Sequence, residues 1–123
     1  MAYSAFNPQG PALVEARLYF GRNIRGVPAI GHADFGDFLT ESVTPHFPGF
    51  TVLEGLGFWE GKSERCFILS ILFEDTATNR GQCQWIAEHY NSRFDQDAVA
   101  VQFLPCAYEF VSWPNRRGTV KPD

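Results

Sequence analysis

A chain of 123 residues with a formal charge of −4 and a pI near 5.3 is predicted to fold as one domain. Its acidity argues against a protein whose affinity comes from neutralising phosphates. With 12 phenylalanines the core is bulky, and rings are available to wall a pocket.

Residues 1–12 hold Pro8, Gly10 and Pro11 and are expected to form a flexible arm. They show neither a basic leader nor an apolar run, so no signal peptide is expected. Strand one is predicted over 14–20: Val14, Ala16, Leu18 and Phe20 alternate with Glu15, Arg17 and Tyr19. Residues 21–31 read as a loop carrying Arg22 and Arg25. Helix one is predicted over 32–46, with Phe35, Phe38, Leu39 and Val43 at helical spacing and Pro45 near its end. Strand two follows over 51–59 and strand three over 65–73. Between them lies a glycine-bracketed hairpin, Gly57-Phe-Trp-Glu-Gly61. Helix two starts near Asp75-Thr76, with Thr76 as N-cap, and runs to Phe94. Its expected buried stripe is Cys83, Ile86, Ala87, Tyr90 and Phe94. Strand four is placed at 98–104, a further extended piece at 106–111, and a polar tail at 113–123.

The order β-α-β-β-α-β predicts a ferredoxin-like α+β domain over 13–112. Four antiparallel strands carry two helices on one face. Strand three is apolar on both faces: Phe67, Leu69, Ile71 and Phe73 on one, Cys66, Ile68 and Leu72 on the other. The sheet face away from the helices is therefore expected to be apolar whichever set it carries. That favours a homo-oligomer, dimer or trimer. Trp85 and His89 add a second sticky surface on helix two.

Three cysteines, Cys66, Cys83 and Cys106, are spread along the chain and fit reduced thiols in a cytoplasmic protein. Cys66, beside Arg65, is the one candidate for a reactive thiol, and core packing is its expected role. No stretch approaches the roughly 18 apolar residues of a membrane span. His32, His46 and His89 lack ligand spacing, so no metal and no cofactor are expected.

The hairpin gathers Glu54, Glu60 and Glu64. A carboxylate at a strand end, near rings, suits a cationic ligand or general-base work. Glu64 and Glu60 are the candidate catalytic residues. Trp59, Arg65 and Phe67, with Arg17 and Tyr19 from strand one, are the candidate ligand-binding set. An arginine among apolar neighbours needs an anionic partner, either a glutamate or a ligand carboxylate. The alternatives are a solvated turn and an intersubunit ion pair.

The topology is also that of RNA-recognition modules. Arg17-Leu-Tyr-Phe-Gly21 resembles their second signature motif, and 65–73 loosely resembles the first, with Tyr19 and Phe67 at the stacking positions. Leu69 stands where a second aromatic belongs and Cys66 where the glycine does. With the negative charge, this makes a nucleic-acid partner the weaker expectation.

Leu18-Tyr-Phe-Gly21, Val43-Thr-Pro-His-Phe-Pro48, Thr51-Val-Leu53, Gly57-Phe-Trp59 and the later Glu64 resemble a small bacterial domain family of unknown function. That resemblance implies a fold and no activity. The hairpin through Glu64 and the stretch Asn91-Ser-Arg-Phe-Asp-Gln-Asp-Ala-Val99 resemble phage S-adenosylmethionine lyases. These are small ferredoxin-like oligomers with a ligand site between subunits. The resemblance implies cleavage of S-adenosylmethionine to methylthioadenosine and homoserine lactone. Glu64 would lie near the substrate, with Trp59 as a pocket wall. The expectation from the residues alone is broader: a cofactor-independent enzyme on a small charged metabolite, or else a non-catalytic ligand-binding or assembly protein.

Overall fold

In a computed structural model, residues 10–113 are described. Strand β1 (Leu13–Gly21) is followed by two two-residue strands, β2 (Asn23–Ile24) and β3 (Val27–Pro28). Helix α1 (His32–Phe38) passes into a π-helical turn, Leu39–Val43. Strands β4 (Thr51–Trp59) and β5 (Lys62–Glu74) form a hairpin, and helix α2 (Ala77–Phe94) and strand β6 (Ala100–Pro105) complete the unit. The main sheet has the order β4-β5-β1-β6, and every pairing is antiparallel. This is the expected α+β, ferredoxin-like arrangement.

The alternation in β1 places Val14, Ala16, Leu18 and Phe20 at 0% exposure under the helices. β1 pairs with β5 so that Phe20 faces Phe67 and Leu18 faces Leu69. The Phe67 set of β5 therefore joins the helix-covered core, with Phe35, Phe38, Val43, Cys83, Ile86 and Tyr90 above it. The expected α2 stripe is buried, with Phe94 packed at its margin. Thr76 caps α2 by accepting a hydrogen bond from the Asn79 N–H at 3.1 Å.

Local chemistry moves several expected boundaries. The first helix is α-helical only to Phe38. The Thr44 N–H then bonds back five residues, to the Leu39 carbonyl at 2.9 Å. Pro45 has no N–H with which to continue the helix. The expected loop 21–31 holds the β2–β3 ladder, turned by Arg25 and Gly26, both at positive φ. Strand β5 begins at Lys62 rather than Arg65, because Glu60 and Gly61, also at positive φ, make a two-residue turn. Such a turn lets the ladder start at once. The extended piece expected at 106–111 has no regular structure. Most of the expected arm and tail, residues 1–9 and 114–123, lies outside the described residues. Among the described residues no helix is long and apolar enough to cross a membrane.

The open face of the sheet is mixed rather than uniformly apolar. Leu53 and Leu72 are exposed on it, and Ile68 and Cys66 are half-buried. At its centre Glu15 accepts two hydrogen bonds from Arg17, at 3.0 and 3.1 Å, and one from the Ser70 hydroxyl at 2.6 Å. Tyr19 donates to Gln102 at 2.8 Å.

Candidate functional site

Past the C-terminal end of β1 the structure opens into a cleft of about 610 Å³. That lies within the usual size of small-molecule sites, roughly 300–1,000 Å³. Its walls come from the segment after β1 (Arg22, Asn23), the run from Pro28 to Gly31, Leu56 of β4, and Ser63, Glu64 and Arg65 of β5. The tight hairpin turn brings these together, since it sets Leu56 opposite Arg65 and Gly57 opposite Glu64.

Glu64 is anchored by the Asn23 backbone N–H, which donates to Oε2 at 2.9 Å. On the helix side, the Arg22 guanidinium lies 4.2 Å from the centre of the Phe67 ring. It donates from Nε to the Ile30 carbonyl at 3.0 Å and from a terminal nitrogen to Glu54 at 3.2 Å. The other Glu54 oxygen meets His32 Nε2 at 3.1 Å. The hydrogen bond with His32, more than Arg22, holds the Glu54 carboxyl below its ordinary range. Arg22, Glu64 and Arg65 thus all line one cleft.

Of the seven expected site residues, Glu64 and Arg65 line this cleft together. The other five lie elsewhere in the fold. Glu60 sits at the hairpin tip at φ 51°, and Trp59 beside it is 77% exposed. Arg17 and Tyr19 are on the open sheet face, and the anion Arg17 required is Glu15, two residues before it on the same strand. Phe67 is 2% exposed and stacks on Phe35, with centroids 4.2 Å apart and planes at 9°. It is a core residue, because its register opposite Phe20 turns it toward the helices. This also separates the two stacking positions of the RNA-module resemblance: Tyr19 and Phe67 lie on opposite faces of the sheet.

Sequence reasoning left Arg22 as a loop cation and did not join His32 to Glu54. The only local signal for Arg22 was its place directly after Gly21, at the end of the alternation. The His32–Glu54 contact spans 22 residues and no short-range pattern encodes it. The thiols are ill-suited to nucleophilic work. Burial pushes Cys83 up to about 12. Burial, then the nearby Glu64 carboxylate, also raises Cys66. Among the described residues no three His, Cys, Asp or Glu side chains gather as metal ligands.

Solved structures similar to this chain include two of phage enzymes. A phage S-adenosylmethionine lyase in complex with S-methyl-5'-thioadenosine superposes with a TM-score of 0.64 at 16% identity, covering 87% of this chain and 95% of that one. A phage S-adenosylmethionine lyase in its apo state gives 0.56 at 14% identity, covering 87% and 98%. At these identities the likeness is one of fold. The family model described as "Protein of unknown function (DUF3574)" matches residues 15–110, and the chain belongs to that family.

Proposed function

We propose that the protein is a cofactor-independent enzyme acting on a small charged metabolite. In its sharpest form it is a lyase that converts S-adenosylmethionine to methylthioadenosine and homoserine lactone. The observation that carries this reading is the placement of Glu64 and Arg65 on one cleft of small-molecule size. The shared fold of the phage lyases supports it.

The chemistry asks little of the protein. A carboxylate oxygen of the substrate attacks the side-chain carbon bonded to sulfur. The carbon–sulfur bond breaks, and its electron pair neutralises the sulfonium. A lactone and a thioether leave, with no oxidant and no net proton transfer. The site must fold the substrate into a near-attack conformer and exclude water. Glu64 would face the ammonium or sulfonium, and Arg65 would orient the carboxylate. Trp59 and Glu60, at the hairpin tip, would serve such a site from a second copy, as would Arg17 and Tyr19 on the open face. The exposed Leu53, Phe58 and Trp59 favour the second reading, a non-catalytic assembly protein.

Incubation with S-adenosylmethionine, followed by chromatography for methylthioadenosine, tests the proposal. Glu64→Gln keeps the shape and removes the charge, and turnover is expected to fall at least tenfold. No product from the wild-type protein, with no thermal stabilisation at millimolar substrate, would refute the lyase.

A further inference from the structure

Glu64 is useful only if its carboxylate is held at the cleft wall, and the structure assigns that task to two residues outside the expected site. We infer that Gly21 and Gln96 are positioning residues for Glu64, an inference that rests on reading the cleft as a ligand site.

Gly21 ends β1 and pairs with Cys66 in the ladder. It is not among the residues at positive φ, so the backbone there does not call for glycine. Space does. A Cβ on Gly21 would stand 2.7 Å from Glu64 Oε2, 3.3 Å from its Cδ and 3.2 Å from Gln96 Oε1. The carboxylate therefore lies flat against the Gly21 main chain, closer than any side chain would allow. The peptide is pinned from the other side by Tyr90, whose buried hydroxyl donates to the Gly21 carbonyl at 2.6 Å.

Two residues on, Asn23 is gripped at both ends of its backbone. Its N–H donates to Glu64 at 2.9 Å, and its carbonyl accepts from Gln96 Nε2 at 2.8 Å. Gln96 is itself fixed. Asp95 ends α2 in the left-handed conformation, and the Gln96 N–H donates to the Asn91 carbonyl at 3.0 Å. Its side-chain amide also donates to the Phe94 carbonyl at 3.0 Å. The end of α2, the start of β5 and the end of β1 thus meet on one segment. That segment sets where the Glu64 charge stands.

The atoms a methyl group would strike are the far ends of two flexible side chains, not backbone. Gly21→Ala should therefore leave the sheet intact and push the Glu64 carboxylate off its anchor. Amide hydrogen exchange on the full chain reads this directly. Asn23 exchange is expected to rise about tenfold in Gly21→Ala, as in Glu64→Ala, while the β1 amides of Ala16 and Leu18 keep their protection. Titration with S-adenosylmethionine should show about tenfold weaker binding in the same variant. Gln96→Ala, which leaves β1 untouched, should move both readouts in the same direction. Unchanged Asn23 exchange in both Gly21→Ala and Gln96→Ala would overturn the inference. If the wild-type protein does not bind S-adenosylmethionine, the lyase reading falls, and the Asn23 exchange still decides the positioning.

Discussion

Phe67→Ala separates a core residue from a ligand wall. The ring is 2% exposed and stacks on Phe35 at 4.2 Å. The Arg22 guanidinium covers it at 4.2 Å and the His32 ring meets it edge-on at 5.4 Å. Truncating a buried phenylalanine costs about 3–5 kcal/mol, the transfer term plus the cavity left behind. For a domain of this size, at roughly 4 °C per kcal/mol, that lowers Tm by on the order of 12–20 °C. Urea denaturation measures it, with a falling midpoint at constant slope. A double-mutant cycle with Phe35→Ala should recover a coupling of about 0.5–1.5 kcal/mol from the stacked pair. A loss under about 1 kcal/mol, with no coupling to Phe35, would refute the core placement and return Phe67 to the open face.

Tyr90→Phe leaves the Gly21 carbonyl without its 2.6 Å hydrogen bond and should cost about 1–2 kcal/mol in the same urea assay. An unchanged midpoint would mean that water replaces the hydroxyl. The bonds from Arg17, then Ser70, hold the Glu15 carboxyl below its ordinary 4.5. On acidification the unfolded chain takes up that proton first. The stabilisation is therefore complete above about 4.5 and is lost as pH falls through the lower folded value. The stability gap between wild type and Glu15→Gln should shrink below that pH, and a constant gap would contradict the pairing. Buried Cys83, with its thiol pushed up to about 12, should resist iodoacetamide in the native protein and label only on unfolding. Native labelling of Cys83 at the rate of a free thiol would contradict its burial.

The sequence by itself determined the elements and their order. Period-two alternation in β1, helical spacing in α2, the Thr76 cap and the glycine-bracketed hairpin of 57–61 are short-range signals, each read within a few residues. They sufficed for the ferredoxin-like arrangement and for Glu64 and Arg65 as neighbours at a strand start. Tertiary structure alone decided which face of β5 is buried. Both faces are apolar, and only the register opposite Phe20 sends Phe67 inward. It likewise supplied Glu15 as the partner of Arg17 on a face expected to be apolar, and the 22-residue reach from His32 to Glu54. The Glu64 anchor belongs to the same class. Gly21, Asn23, Glu64, Tyr90 and Gln96 come from three separate parts of the chain. A contact among side chains so far apart leaves no periodicity in the sequence, because folding, and not chain neighbourhood, brings them within hydrogen-bonding distance.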